Sequence, residues 1–76
     1  MEENLYVYKI QREDGLFSTG GVHPEFNKLG KAWTKIGYVK NHIAMLREYG
    51  KNPEIIYKKC NIIKFELNLV QVKDIF

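Results

Sequence analysis

The side chains that could ligate a soft metal or act as a nucleophile are His23, His42 and Cys60. A zinc site takes ligands in close pairs, as in C-x2-C or H-x3-H, because one turn must aim both at a single ion. These three residues show no such spacing, so no metal and no cofactor is expected. Cys60 with a histidine would make a nucleophile and its base if folding brought them within hydrogen-bond reach. Beside a strand start, Cys60 equally reads as a small packing residue. Glu13-Asp14 is a carboxylate pair, but Gly15 follows it, and in such a turn Asp bonds the backbone. Gly20-Gly21 lacks the lysine and the following helix of a phosphate loop. It reads as a strand end with unusual backbone angles. With no constellation that carries a reaction, the chain is expected not to be an enzyme.

Binding residues are better represented. Between Phe26 and Arg47 stand Lys28, Lys31, Lys35, Lys40 and Arg47 with no acid, a block of +5 in a chain whose net charge is +3. Residues 1–25 carry Lys9 and Arg12 against Glu2, Glu3, Glu13, Asp14 and Glu25, or −3. Trp33, the only tryptophan, lies between Lys31 and Lys35. Basic and aromatic side chains together suit single-stranded nucleic acid, on whose bases aromatics stack. The alternative for a lone Trp in so small a domain is the core. The expected binding face is the segment 28–51, centred on Lys31, Trp33, Lys35, Lys40 and Arg47. On a helix, Lys40, Ala44, Arg47 and Lys51 would share one side, whose plain alternative is a solvated polar face. His42 sits at the border of that helix, as a donor or a packing residue.

These residues need a scaffold. Leu5 to Arg12 predicts a strand with Tyr6, Tyr8 and Ile10 on one face. Asp14-Gly15 predicts a hairpin turn into a second strand, Leu16 to Thr19. Residues 23–30 read as a loop holding at most one helical turn, and Lys31-Ala32-Trp33 as a short extended piece. Thr34 is the expected N-cap of a helix over 35–49. Its stripe Ile36, Val39, Ile43, Leu46 should pack on Tyr8, Ile63, Phe65 and Leu67. Gly50 and Pro53 mark its end. Ile55-Ile56-Tyr57 predicts a strand and Lys58 to Asn61 a turn. Ile63, Phe65, Leu67 and Leu69 then alternate with polar residues as a last strand, with a bulge or bend at Leu69-Val70. The fold class is α+β: a small antiparallel sheet of about four strands with one helix packed on it, in the order ββαββ. Residues 1–76 form a single domain.

One cysteine allows no internal disulfide, and small secreted domains usually need several. Met1-Glu2-Glu3-Asn4 is acidic where a secretory signal would be basic and then apolar, and no run approaches a membrane span. The expected compartment is the cytoplasm.

Three strings carry a resemblance: Gly15-Leu16-Phe17-Ser18-Thr19-Gly20-Gly21, then Phe26-Asn27-Lys28 with Gly30-Lys31-Ala32-Trp33, then Gly37-Tyr38-Val39-Lys40-Asn41-His42. Over roughly residues 5–70 the chain resembles a type of small uncharacterised bacteriophage protein. The resemblance implies a phage origin, the host cytoplasm as compartment, and a non-catalytic protein that binds a host protein and inhibits or redirects it. It implies no site residues. The rival expectation is a nucleic-acid-binding module using segment 28–51.

Overall fold

The computed structural model describes residues 5–67. The elements in chain order are β1 (Leu5–Arg12), β2 (Phe17–Ser18), β3 (Phe26–Asn27), α1 (Ile36–Glu48), α2 (Pro53–Ile56) and β4 (Cys60–Leu67). The strands form one antiparallel sheet in the order β3-β2-β1-β4. The class is α+β, with a four-stranded sheet and one main helix, as expected.

The hairpin between β1 and β2 closes where Asp14-Gly15 predicts it. The Arg12 N–H donates to the Leu16 carbonyl at 2.8 Å, and the Asp14 carboxylate accepts from the Leu16 N–H at 3.2 Å. Asp14 also pairs with the Arg12 guanidinium at 2.6 Å, and that contact holds its carboxyl below the usual carboxylate range.

The expected loop at 23–30 contains a strand, because Phe26 has something to cover. Its ring lies under the Arg12 guanidinium at 4.3 Å and edge-on to Tyr57 at 6.3 Å. The Asn27 side chain then accepts from the N–H groups of Leu29 and Gly30, turning the chain back. Only glycine fits at Gly30, where φ is +65° and a Cβ would meet the Phe17 Cβ at 2.3 Å. The chain returns alongside β2 and β1. The Lys31 N–H donates to the Ser18 carbonyl at 2.8 Å, and Trp33 exchanges both backbone hydrogen bonds with Tyr8, at 2.7 and 2.9 Å.

Helix α1 begins one residue later than expected. Lys35, not Thr34, is the N-cap, and no side chain caps it. Its end is as predicted: Lys51 N–H to Leu46 carbonyl at 2.8 Å and Gly50 N–H to Arg47 carbonyl at 3.0 Å close a Schellman motif.

Two expectations for the last third are corrected. Ile55-Ile56-Tyr57 is not a strand, so the order ββαββ becomes three strands, the helices and one strand. The Asn52 side chain accepts from the Glu54 N–H at 3.1 Å and Pro53 takes the first helical position, so α2 starts there. A cap plus a preset proline φ outweighs the β preference of two isoleucines. The second correction concerns β4. It pairs with β1 in the register Ile10↔Ile62, Tyr8↔Lys64 and Val7↔Phe65. Directly opposed residues share a face. Ile10, which is buried with Trp33 and Val39, marks the face under α1. Ile63, Phe65 and Leu67 therefore lie on the other face, where Phe65 meets Phe17 edge-on at 6.0 Å. Of the helix stripe, Val39 and Ile43 pack with Tyr8 and Ile10 instead, Leu46 is buried, and Ile36, expected in the core, is exposed at 38%. The bend expected at Leu69-Val70 lies outside the described residues.

Candidate functional site

The core beside α1 contains a hydrogen-bonded chain. Ser18, at 0% exposure, and His42, at 6%, are its buried polar members. The Tyr57 phenol joins them, 2.7 Å from the Ser18 Oγ and 2.6 Å from the His42 Nε2. The Gly20 N–H donates to the Ser18 Oγ at 3.1 Å. One polarity gives every hydroxyl proton an acceptor. In it Ser18 donates to Tyr57, and Tyr57 donates to a neutral His42 protonated at Nδ1. The electrostatics agree. Burial, and after it the charge of Lys31, push His42 below its ordinary value, while burial pushes Tyr57 up. Both shifts favour the neutral forms. Each element delivers one member: β2 carries Ser18, α1 carries His42, and the end of α2 carries Tyr57.

Such a chain combines hydroxyl, phenol and imidazole, but the Ser18 hydroxyl is sealed from solvent and the phenol occupies the imidazole nitrogen that faces it. Its chemistry is to satisfy buried polar groups and tie three elements together. The Cys60 thiol takes no part in it: it donates to the Lys58 carbonyl at 3.7 Å, and burial pushes that thiol up. Among the described residues no group of three or more His, Cys, Asp or Glu is placed to hold a metal ion. Nor is any helix there long and apolar enough to cross a membrane.

Outside this chain, α1 and the segment around Trp33 border an open groove of about 360 Å³, lined by Gly21, Lys31, Trp33, Tyr38, Asn41, His42 and Met45. Tyr38, Asn41, His42 and Met45 stand at i, i+3, i+4 and i+7, one stripe of the helix. Trp33 is the floor. Its ring lies against His42 at 5.3 Å, with the Lys31 ammonium 5.9 Å from its centre. Gly20 lets the neighbouring loop close on it: φ is +69°, and a Cβ would come within 3.0 Å of the Trp33 ring.

The five expected binding residues divide. Lys31 and Trp33 line the groove, whereas Lys35 lines a separate pocket with Tyr8 and Thr34 and has its ammonium 5.8 Å from the Tyr38 ring. Lys40 and Arg47 lie elsewhere. At 100° per residue, their stripe is turned roughly 160° from that of the groove. Arg47 is also paired with Glu54. Trp33 is only 6% exposed, so it is a core residue whose edge reaches the groove rather than a free stacking platform. The exposed aromatic is Tyr38, at 47%. Tyr38, Asn41 and Met45 were missed by reading charge alone. The second helical stripe beside the core stripe was the available signal. Nothing in the sequence pointed to Ser18 and Tyr57, which are 39 residues apart.

Compared with protein-family models, curated proteins and solved structures, the chain matches none, so the functional reading rests on the groove and its residues.

Proposed function

We propose that this protein is a non-catalytic binding module whose groove takes an acidic, aromatic- or aliphatic-anchored segment of a partner protein. The observation that carries the reading is the lining. Lys31 supplies charge, the Asn41 amide supplies hydrogen bonds, Tyr38 and Met45 supply apolar surface, and no acid is among the lining residues. Lys35 adds a second cation within 5.8 Å of the Tyr38 ring. A carboxylate-bearing segment complements such a site in charge, and apolar contact at its centre would supply the affinity. The resemblance to phage proteins supports a host protein as that partner, engaged in the host cytoplasm and inhibited or redirected by occupation of its segment. The acid-free run of 26–47 favours the rival reading, a nucleic-acid-binding module.

The only tryptophan forms the floor of the groove, so its fluorescence reports occupancy. The probes are short Asp/Glu-rich peptides bearing one Phe or Leu, and a single-stranded oligonucleotide, each titrated across a salt series. We expect the peptides to bind with shallow salt dependence. Lys31→Glu should weaken them at least about tenfold, or ~1.4 kcal/mol, while Lys40→Glu with Arg47→Glu leaves them unchanged. Oligonucleotide binding with a steep loss in salt, and no peptide binding, would transfer the function to the rival. Peptide binding lost in the double reversal but kept in Lys31→Glu would move the site to the other flank of α1.

A further inference from the structure

The sheet ends on an eight-residue strand, β4, with one neighbour among the described residues, β1. The backbone parity of that edge follows from hydrogen bonds on the page. Tyr8 exchanges both of its backbone bonds with Trp33, and Arg12 donates to Leu16, so the even-numbered residues of β1 point their polar groups toward β2. Its odd-numbered residues point theirs at β4. Val7↔Phe65 and Lys9↔Ile63 are therefore the hydrogen-bonded pairs. Along β4 the groups alternate, so Ile62, Lys64 and Glu66 turn their N–H and C=O outward. An edge of unpaired backbone groups is a template for another strand.

The side chains along this edge are self-complementary. Ile63-Lys64-Phe65-Glu66-Leu67 reads apolar, cation, apolar, anion, apolar, so a copy running in the opposite direction sets anion against cation and apolar against apolar. The geometry points to a second copy of this chain as the occupant: β4 pairs with β4 of the second copy, antiparallel, about a two-fold axis through Phe65. In that register Lys64 opposes the second copy's Glu66 and exchanges both backbone bonds with it, and the axis repeats the pair. Phe65 meets its own copy in a non-hydrogen-bonded position, where side chains approach most closely. Ile63 opposes the second copy's Leu67 on the same face. A two-fold axis through Lys64 or Glu66 would instead put like charges opposite, which disfavours those registers. The groups that would be covered are exposed in the single chain: Ile62 at 44%, Phe65 at 36% and Leu67 at 41%. Neither Lys64 nor Glu66 takes part in the ion pairs of the described residues, which are Arg12–Asp14, Arg47–Glu54 and Lys59–Glu13. In the single chain Lys64 rests over the Tyr6 ring of β1 at 4.0 Å, on the face it shares with Glu66, and pairing across the edge turns it outward. The result is one continuous antiparallel sheet across two chains, joined through an isologous interface. It is independent of the groove.

The test is sedimentation equilibrium of the full chain at loadings up to roughly 300 μM, where even a Kd of about 30 μM leaves most chains paired. Wild type should sediment as a dimer. Lys64→Glu and Glu66→Lys should each weaken it at least about tenfold, because each sets like charges opposite. The double exchange Lys64→Glu with Glu66→Lys should restore it. Both sites are exposed, and circular dichroism confirms that each variant is folded. A monomer throughout that range, a dimer indifferent to the single reversals, or failure of the double exchange to restore pairing would each overturn the inference.

Discussion

Replacing Tyr57 by Phe removes one oxygen and leaves the ring in place. The ring keeps its edge contacts with Phe26 at 6.3 Å and with His42 at 5.7 Å, so packing is nearly constant and the hydroxyl is isolated as the variable. That oxygen is the shared partner of the Ser18 Oγ and the His42 Nε2. Ser18 is fully buried and His42 nearly so, and water cannot readily take the place of the phenol. An orphaned buried polar group costs about 1–3 kcal/mol; the His42 Nε2 loses its partner outright and the Ser18 hydroxyl keeps only the Gly20 N–H, so the expected loss is about 2–5 kcal/mol. A chain of 76 residues has roughly 4–11 kcal/mol of stability in all. The variant should therefore lose a large fraction of it, read as a fall in Tm of roughly 10–25 °C. Tyr38→Phe, at an exposed position, is the control and should move stability by no more than about 0.5 kcal/mol. Denaturant unfolding followed by the fluorescence of Trp33, which lies against His42, measures both. If Tyr57→Phe were as mild as the control, the phenol would not be the link between β2 and α1, and the core would rest on its apolar contacts alone.

Leu46 is fully buried on α1, so Leu46→Ala should cost about 2–5 kcal/mol by denaturant unfolding, and a loss near zero would mean the helix is turned differently on the sheet. Stability should also fall in mild acid. His42 is held below its ordinary value near 6.5, so as pH drops through that value the unfolded chain takes up a proton that the folded chain refuses. The loss begins near 6.5, grows as pH approaches the lower folded value, and levels off below it. Melting curves between about pH 8 and pH 5 should show this decline in wild type, and His42→Gln should flatten it. An unchanged slope in that variant would assign the decline to other groups.

The parts of the fold legible in the sequence were those set by local chemistry. Asp14-Gly15 makes a turn wherever it stands between two extended runs. Gly50 ends α1 through bonds to carbonyls within the last turn. The misread parts depend on competition or on distant partners. Ile55-Ile56-Tyr57 has strand composition, yet Asn52 and Pro53 immediately upstream start a helix. In β4 the alternation of Ile63, Phe65 and Leu67 was visible, but alternation says only that these residues share a face. Which face is decided by pairing with β1, and Ile10↔Ile62 puts them away from the helix. The neighbouring Ile62 made the phase ambiguous, since apolar residues occupy both parities there.

The site was legible only in part for a related reason. Charge along a sequence becomes a surface patch only if the backbone brings the residues to one side. Lys31 precedes α1 and is brought to the groove by the bridge between Trp33 and Tyr8, while Lys35 sets its ammonium near the Tyr38 ring. Lys40 and Arg47 follow the helix round to the other flank, where Glu54, from beyond the acid-free run, pairs with Arg47. The +5 block is thus two surfaces of unlike character, one free and lined with polar and apolar groups, the other partly neutralised. The buried chain explains why the groove keeps its shape. Ser18, Tyr57 and His42 come from three elements, and each satisfies the next only in one arrangement. Shifting α1 along the sheet would break the His42–Tyr57 hydrogen bond in the core, and that penalty holds Tyr38, Asn41 and Met45 where they face Lys31 and the edge of Trp33. A polar chain inside a thin core thereby supports a rigid binding stripe outside it.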